Sequence, residues 1–514
     1  MPEPTEAVPA GPHVDVVVVG AGLSGIGAAY RLETECPGRT YAVLEARDAI
    51  GGTWDLFRYP GIRSDSDFFT LSYPFRPWSG RGSIVEGEQI RRYVADTARE
   101  HGIDRHIRFQ TSVVGAAWSG ERACWTLTLQ KTAADGSTRA STMTCSFLYA
   151  CAGYYDYDRA HQPDFPGQSD FAGTVVVPQF WPDDLDVTGR RVVIIGSGAT
   201  AVTLAPSLAG TAGHVTVLQR SPSWIGAVPA EDALADRIRR VLPAGLAHRV
   251  IRGKNIVRQQ AVYAFCTRWP GLARRLLLGL TAKAVDPTLV ETHFTPAYDP
   301  WEQRFCVAPD GDFFRAIRRG RVEMVTDHVD RFVPEGIRLA SGRVLEADVV
   351  VTATGLRMVP FGGIPLTVDG EPVDLHERFV WQGAMLTGVP NFAVAVGYVN
   401  ASWTLRADLT SRLVCKVLGE MDRRGAASVV PVPDGPLRPQ PLLPLSSGYI
   451  RRAQEQFPQQ GDRGPWRVRQ NYLLDAALTL RRDLGRTLRF APVPGSASPA
   501  RAVSPAARAT ARGR

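Results

Sequence analysis

Val14-Asp15-Val16-Val17-Val18-Val19 runs directly into Gly20-Ala21-Gly22-Leu23-Ser24-Gly25, which we call the first glycine turn. The unbroken run of β-branched residues over Val16–Val19 is typical of a strand buried on both faces in a parallel sheet. The G-x-G-x-x-G pattern then allows a tight turn, brings backbone N–H groups towards a pyrophosphate and opens a helix. Glu45 closes the next strand, where its carboxylate would accept a hydrogen bond from a ribose hydroxyl. Together these features predict a dinucleotide site built from Gly20, Gly22, Ser24, Gly25 and Glu45.

A second strand–turn–helix pattern begins at Arg191 and continues into Gly196-Ser197-Gly198-Ala199-Thr200-Ala201, the second glycine turn. Ala201 is the small residue that this pattern permits at its third position. The following strand ends in Gln219-Arg220-Ser221 and not in an acid. A carboxylate would repel a 2′-phosphate, whereas Arg220 can pair with it, so this motif predicts NADPH in preference to NADH. The expected contacts are Gly196, Ser197, Gly198, Ala199, Thr200, Ala201, Gln219, Arg220 and Ser221.

Length and composition place the chain among multidomain globular proteins. With 514 residues, 44% of them hydrophobic, the chain can form two or three domains. Its seven cysteines are scattered without a C-x-x-C pair, so we expect reduced thiols and no structural metal. No signal-peptide pattern and no apolar stretch of membrane-spanning length is visible, which favours a cytoplasmic protein.

The net charge of +8 is concentrated in two regions. The segment 237–285 carries eleven Lys or Arg residues and no Asp or Glu, and its pattern is mostly helical. We interpret it as a helical subdomain with a solvated basic face; peripheral contact with a membrane stays open, and no nucleic-acid partner is expected. The second region, 491–514, is basic and rich in Ala, Ser, Pro and Gly, and is expected to be disordered.

A long segment from Gly51 to Asp67 has no periodicity and is predicted to be an ordered functional loop. Its G-G-T-W and R-Y-P-G motifs and the following Asp65 resemble the flavin loop of the Baeyer–Villiger monooxygenases. The resemblance implies that Asp65 lies near the reactive edge of a flavin and that the backbone of Val113 meets the FAD adenine. The other FAD contacts that it implies are Gly52, Thr53, Trp54, Asp55, Leu56 and Arg63.

Two further motifs bear on this resemblance. Phe171, Gly173, Trp181 and Pro182 match the family fingerprint F-x-G-x-x-x-H-x-x-x-W-P, but Val177 occupies the position of its histidine. Valine can neither donate a hydrogen bond nor titrate, which leaves the effect on the reaction open. The segment Pro300-Trp301-Glu302-Gln303-Arg304 resembles the ethionamide-monooxygenase branch, and Arg304 falls on that branch's active-site arginine.

The resemblance implies a reaction. NADPH would reduce FAD, reduced FAD would capture O₂ as a C4a-peroxyflavin, and a ketone would become an ester or lactone, with Arg304 and Asp65 as catalytic residues. The small-molecule substrate would be a ketone, or a sulfide or thiocarbonyl compound. Three alternatives are an N- or S-oxygenating flavin monooxygenase, a flavin disulfide reductase, for which no redox cysteine pair is visible, and a non-catalytic nucleotide-binding protein.

The predicted fold class is α/β, with two Rossmann-like dinucleotide-binding domains and a helical insertion in the second. We assign residues 1–160 and 353–490 to the FAD domain, 161–225 and 306–352 to the NADP domain, 226–305 to the insertion and 491–514 to the tail. The substrate's identity and the oligomeric state have no visible sequence determinant.

Overall fold

The computed structural model describes residues 11–133, 135–479, 481 and 484–492. Nearly all of the predicted tail therefore lies outside the described residues. Its first two residues, Ala491 and Pro492, are not disordered as the composition predicted, because they pair with Ser428 and Ala426 at the end of a strand.

The first part of the chain forms β1 (His13–Val19), α1 (Leu23–Glu35), β2 (Tyr41–Leu44), α2 (Thr53–Leu56), α3 (Phe68–Leu71), α4 (Gly87–Glu100), β3 (Ile107–Arg108), β4 (Thr111–Ser119), β5 (Cys124–Thr132) and β6 (Thr138–Ala150). The middle part forms β7 (Thr174–Val176), β8 (Arg191–Ile195), α5 (Ala199–Leu208), β9 (His214–Gln219), β10 (Ile225–Val228), α6 (Ala233–Val241), α7 (Ala244–Arg268), α8 (Pro270–Ala284), α9 (Pro287–His293), β11 (Cys306–Pro309), α10 (Asp312–Arg318), β12 (Val322–Thr326), β13 (Val329–Val333), β14 (Gly336–Leu339), β15 (Val344–Glu346) and β16 (Val349–Thr352). The last part forms β17 (Leu366–Val368), β18 (Glu371–Pro372), β19 (Val380–Trp381), β20 (Met385–Leu386), β21 (Phe392–Val394), α11 (Trp403–Arg424), β22 (Ala426–Pro431), β23 (Gln440–Pro441), α12 (Gly448–Ala453), β24 (Gln459–Gln460), α13 (Tyr472–Thr479) and β25 (Leu488–Pro492).

The first sheet is organised around β1, which pairs in parallel with β2 on one side and with β6 on the other. Val16 and Val18 pack into a core shared with helices α1 and α11, while Val17 and Val19 pack into a second core with the meander β4–β5–β6. Side chains alternate between the faces of a strand, so a core on each side requires the unbroken apolar run.

The second sheet is parallel, with the strand order β12–β9–β8–β16–β7. Val192 and Ile194 of β8 pack with helix α5, and Val193 and Ile195 pack against the hairpin strands β13–β15 on the other face. The chain then returns to the first sheet, where β17 pairs with β4 and β21 with β6. The predicted fold class, two Rossmann-like units in an α/β protein, is confirmed.

Helices α6 to α9 lie in sequence between β10 and β11, which pair in parallel, so the helical segment interrupts the second unit. Arg252 of α7 is only 7% exposed, and its guanidinium donates hydrogen bonds to the carbonyl oxygens of Phe69, Thr70 and Ser72 in the first unit. The helical segment is thereby joined to α3 and the residue that follows it. The domain bounds predicted from the sequence stay a prediction.

Candidate dinucleotide and active site

One cavity of about 1580 Å³ is lined by residues of both Rossmann-like units. Its wall includes Gly20 and Gly22 of the first glycine turn and Gly196 and Gly198 of the second. Both turns follow the carboxyl ends of parallel strands, the place where such folds bind nucleotides. The volume exceeds the roughly 300–1,000 Å³ usual for one small-molecule pocket, which suits more than one ligand.

The first glycine turn is shaped by two positions where no side chain fits. Gly20 has φ +101°, and a Cβ there would lie 3.0 Å from the carbonyl oxygen of Cys151. A Cβ on Gly25 would lie 1.8 Å from the carbonyl oxygen of Gly20. Gly25 is absent from the cavity wall, so its function in the turn is to let helix α1 pack closely on the strand.

Glu45 is only 5% exposed and braces the first glycine turn. Its carboxylate accepts hydrogen bonds from the backbone N–H of Ala21 at 2.7 Å and of Arg47 at 2.9 Å. Burial raises the pKa of Glu45, and these two hydrogen bonds oppose the rise. Glu45 also lines the cavity, so the same carboxylate fixes the turn and faces the space predicted for a ribose.

The predicted flavin loop reaches the cavity through only part of its motif. Gly52, Thr53 and Trp54 line the cavity, and a Cβ on Gly52 would lie 3.0 Å from the Cα of Gly22. The side chains predicted to bind the cofactor at the next two positions are elsewhere. Asp55 is 1% exposed and pairs with Arg47 at 2.7 Å and Arg58 at 3.1 Å, and Leu56 packs in the core of the second unit.

The second glycine turn is open where a phosphate would approach. Gly196 needs its glycine, because a Cβ would lie 2.2 Å from the carbonyl oxygen of Ala353, whereas a Cβ on Gly198 would meet no atom within 4 Å. Ser197, Ala199, Thr200, Arg220 and Ser221 line the cavity as well. The remaining two predicted residues do not: Ala201 is buried in the core, and the Gln219 amide donates to the carbonyl oxygen of His293 and to Thr326 Oγ1.

Four further predicted residues also lie on the cavity wall: Ser24, Val113, Arg63 and Asp65. Ser24 Oγ accepts a hydrogen bond from the Trp403 indole at 2.7 Å. Arg63 pairs with Asp312 of α10 at 2.5 Å, so it links the first loop to the second unit. That ion pair already occupies a large part of its guanidinium.

Arg304 and Asp65 come together on the same cavity wall, with Arg304 Nε 3.6 Å from Asp65 Oδ2. Burial raises the pKa of Asp65, and the charges of Arg304 and Arg63 oppose that rise. Partial desolvation disfavours the charged form of Arg304, but Asp65 together with Tyr155, Tyr449 and Tyr154 outweighs this effect and raises the pKa of Arg304. The guanidinium therefore stays cationic, while 42% of its side chain remains exposed.

Three tyrosines that the sequence did not single out surround this pair: Tyr154, Tyr155 and Tyr449. Burial raises the pKa of Tyr154 to about 12, so it remains a neutral hydrogen-bonding group at neutral pH. Tyr154 and Tyr155 belong to the link that follows β6, and Tyr449 lies in α12. A cluster of aromatic residues in an irregular link, Gly153-Tyr154-Tyr155-Asp156-Tyr157, is the sequence pattern that could have indicated them.

Gln179, which no sequence motif indicates, holds the segment 153–157 in place through hydrogen bonds. Gln179 is 4% exposed, and its Nε2 donates to the carbonyl oxygens of Asp156 at 2.8 Å and Tyr157 at 3.2 Å. Val177 stands two residues earlier, in extended backbone just before the short turn Pro178–Phe180. The amide of Gln179 thus supplies a donor close to the position where the fingerprint histidine is missing.

The two turns have the shape that two dinucleotides require. Each turn leaves backbone free of side chains beside one shared cavity, and only the second carries an exposed arginine at the end of its second strand. These observations fit FAD at the first turn and NADP at the second.

Comparison with known proteins identifies the family of the chain. The model of the flavin-binding monooxygenase-like family matches residues 72–250, and that of the NAD(P)-binding Rossmann-like domain matches residues 18–86. The FAD-containing monooxygenase EthA of Mycobacterium tuberculosis is 49% identical over 486 residues, covering 94% of this chain and 98% of EthA. The probable FAD-binding monooxygenase AlmA of Acinetobacter baylyi is 42% identical over 466 residues, covering 90% of this chain and 93% of AlmA.

Solved structures agree on the fold. A steroid monooxygenase bound to NADP superimposes with a TM-score of 0.73 at 22% identity, over 93% of this chain and all of that one. An open form of cyclohexanone monooxygenase gives 0.71 at 21% identity, again over 93% of this chain and all of that one. The predicted resemblance and the predicted enzyme class are confirmed: the chain belongs to the family of flavin-dependent, FAD-containing monooxygenases.

Proposed function

We propose that this flavin-dependent monooxygenase catalyses a Baeyer–Villiger-type reaction, the insertion of one oxygen atom from O₂ into a ketone to give an ester or lactone. The observation that carries the proposal is Arg304, a permanent cation held beside Asp65 on the wall of the cavity that both glycine turns share. A ketone oxygenation builds negative charge on the carbonyl oxygen, and a fixed cation at that place stabilises it.

FAD and NADPH are the cofactors predicted from the sequence. The relatives described above are named FAD-containing monooxygenases, and a protein of related fold has been solved in complex with FAD and NADP. In this chain Gly20, Gly22, Ser24, Glu45, Gly52, Thr53, Trp54 and Val113 would hold FAD. Gly196, Ser197, Gly198, Ala199, Thr200, Arg220 and Ser221 would hold NADP, with Arg220 selecting NADPH through its 2′-phosphate. When bound, FAD supplies the activation of O₂ after its reduction by NADPH.

The protein's own residues would position the ketone and stabilise charge. Arg304 would donate hydrogen bonds to the carbonyl oxygen, and its planar fork of donors suits an oxygen that becomes anionic. Such a preorganised charge commonly supplies about 3–4 kcal/mol of barrier lowering. Asp65 would hold the guanidinium in place and compensate its charge, and Tyr154, Tyr155 and Tyr449 would keep water from the reacting groups.

An N- or S-oxygenating reaction is the second candidate, and Val177 is the observation that favours it, because the Baeyer–Villiger fingerprint has a histidine there. Oxygenation at nitrogen or sulfur passes through no carbonyl oxyanion. It therefore has less need of Arg304, and the two reactions predict different responses to its removal.

The test is oxygenation of a panel of ketones and sulfides by Arg304→Ala, Arg304→Lys and the wild type. We expect bound FAD to be retained in both variants, since the first glycine turn lies outside this segment. Ketone oxygenation should fall about a hundredfold or more in Arg304→Ala, the usual effect of deleting one charge-stabilising donor. Arg304→Lys should also be impaired, because a point charge on a flexible stem does not reproduce the fork.

The measurement is mass spectrometry of products formed under ¹⁸O₂, together with NADPH consumption. An Arg304→Ala protein that oxygenates ketones at the wild-type rate would contradict the assignment of Arg304. Labelled sulfoxides with no ester or lactone from any ketone would assign the chain to the second candidate.

A further inference from the structure

We propose that the outward face of helix α8 docks this protein on the surface of an anionic lipid bilayer. The face consists of Leu272, Arg275, Leu276, Leu280 and Lys283, and we call it the α8 face. The inference concerns where the protein works and does not depend on which oxygenation it catalyses. Among the described residues no helix is long and apolar enough to cross a bilayer, so the contact would be a surface contact. The cytoplasmic location predicted from the sequence stays a prediction.

Exposed apolar side chains are concentrated in the helical segment. Among the residues that the structure describes, fifteen large hydrophobic side chains are exposed, and ten of these lie between residues 234 and 280. They are Leu234, Val241, Leu246, Val250, Val257, Val262, Trp269, Leu272, Leu276 and Leu280. Single exposed apolar residues are ordinary on protein surfaces, whereas a concentration of this kind marks an interaction site.

Helix α8 carries its most exposed apolar side chains on its outward side. On its inner side Ala273 and Thr281 are buried, Leu277 is half-buried, and Arg274 lies over the Trp224 ring, 5.5 Å from its centroid. Leu272, Leu276 and Leu280 follow one another at intervals of four residues and are 57%, 52% and 54% exposed. Residues at this interval share one side of a helix, so the leucines form an apolar stripe that faces outward.

Basic side chains share that outward side. Arg275 and Lys283 are exposed and lie three residues after Leu272 and three after Leu280, within the same stripe. Arg268 and Trp269, both exposed, stand where α7 gives way to α8. Leucine, basic residues and tryptophan on one exposed helix surface are the composition by which helices lie in the interface of an anionic bilayer.

The charge of residues 237–285 decides which partner the α8 face would bind. No Asp or Glu occurs between Arg237 and Val285, where eleven Lys or Arg residues do, so a second copy of this surface would be repelled. A nucleic acid would use the charges but would leave the leucine stripe in water. An anionic bilayer satisfies both features, because its headgroups attract the cations and its acyl boundary takes the leucines.

The test is co-sedimentation of the FAD-loaded full chain with vesicles, using two variants of the α8 face. One variant is Leu272→Ser/Leu276→Ser/Leu280→Ser and the other is Arg275→Glu/Lys283→Glu. Vesicles of phosphatidylcholine alone are compared with an equimolar mixture of phosphatidylcholine and phosphatidylglycerol, at low and at high salt. We expect the wild type to bind the mixed vesicles, weakly at high salt, and each variant to bind about tenfold or more weakly.

Matched controls carry the same changes elsewhere. Leu473→Ser/Leu474→Ser removes two leucines of α13 that are 50% and 42% exposed, and Arg105→Glu/Arg122→Glu reverses two exposed arginines. Both controls should bind vesicles as the wild type does, and flavin absorbance and the thermal midpoint establish that each variant is folded.

Several results would overturn the proposal. One is equal binding to the two kinds of vesicle, and another is wild-type binding by both α8 variants, which would place the contact elsewhere in the chain. A wild type that ignores vesicles but binds duplex DNA, unaffected by the leucine changes, would assign the surface to nucleic acid.

Discussion

The two glycine turns follow the same pattern, yet their third positions differ in a way that the structure explains. In the first turn, Gly25 lies so close to the strand that a Cβ would stand 1.8 Å from the carbonyl oxygen of Gly20. In the second turn the equivalent residue is Ala201, whose Cβ is accommodated in the core. At this third position helix α1 therefore leaves no room for a side chain beside its strand, whereas helix α5 leaves room for a methyl group.

The turns differ again at the residue that ends the second strand. Glu45 is buried and already accepts hydrogen bonds from two backbone N–H groups, while Arg220 is exposed on the cavity wall. The acid is thus part of the scaffold as well as a candidate ligand, whereas the arginine is available mainly for a ligand. Substitutions of Glu45 should therefore alter both protein stability and cofactor binding, and substitutions of Arg220 should alter cofactor binding alone.

The largest effect is expected for Gly25→Ala. The new methyl group would overlap a backbone oxygen that cannot move without opening the turn, at a cost of about 3 kcal/mol or more. We expect loss of bound FAD and a lower thermal midpoint, read from flavin absorbance and a melting curve. Ala201→Gly is the matched change in the second turn and should cost no more than about 1 kcal/mol. Equal decreases of the thermal midpoint in Gly25→Ala and Ala201→Gly would contradict the difference in space at the two positions.

A smaller, cofactor-specific effect is expected for Arg220→Ala. Loss of a charge-assisted contact to the 2′-phosphate should raise KM for NADPH about tenfold to a hundredfold. KM for NADH should change little, because NADH carries no such phosphate. Steady-state kinetics with both nucleotides checks this, with Arg190→Ala, an exposed arginine off the cavity wall, as the control. Equal changes for NADPH and NADH would place the phosphate site elsewhere.

Glu45→Gln should weaken FAD binding by about tenfold. The amide keeps the shape of the side chain, but it is neutral and provides one oxygen acceptor where the carboxylate provides two, so one of the two backbone N–H groups loses its acceptor. Fluorescence titration of the apoprotein with FAD measures the change. An unchanged dissociation constant would mean that the carboxylate serves the protein alone and leaves the ribose to another group.

The pH dependence of stability should also distinguish Glu45→Gln from the wild type. Burial raises the pKa of Glu45 in the folded protein, so the folded state binds this proton more tightly than the unfolded chain. The stability that this group contributes is present below its unfolded pKa and is lost as the pH rises through its folded pKa. The wild-type thermal midpoint should therefore fall relative to that of Glu45→Gln as the pH rises from about 4.5. A constant difference between the two melting curves across this range would contradict the linkage.

Sequence reasoning recovered the elements whose form is fixed by local chemistry. β1 and its turn follow from a run of valines and three glycines, and Arg304 and Asp65 follow from short family motifs. It misplaced side chains whose direction depends on distant partners. Asp55 turns away from the cavity because Arg47 and Arg58 both pair with it, and Gln219 turns towards His293 and Thr326.

Single backbone positions and tertiary contacts shape other features that no sequence motif indicates. Strands β3 and β4 are separated at Gln110, which takes a positive φ of 53°. Helix α11 begins at Trp403, whose indole donates a hydrogen bond to Ser24 Oγ. Tyr449 reaches the Arg304 site from almost 150 positions later in the chain, and no local pattern announces such a contact.

The buried Arg252 has a consequence for anyone who would exchange parts between relatives. Its guanidinium bonds to three carbonyl oxygens that follow the flavin loop, although it belongs to the helical segment inserted in the other unit. Deleting that segment, or grafting it from a relative with a different side chain there, would remove the buried donor that these three carbonyls share, and among the described residues only those of Phe69 and Thr70 would keep another donor, from Ser72 Oγ and Thr404 Oγ1. A functional chimera must therefore take residues 69–72 and helix α7 from the same parent protein.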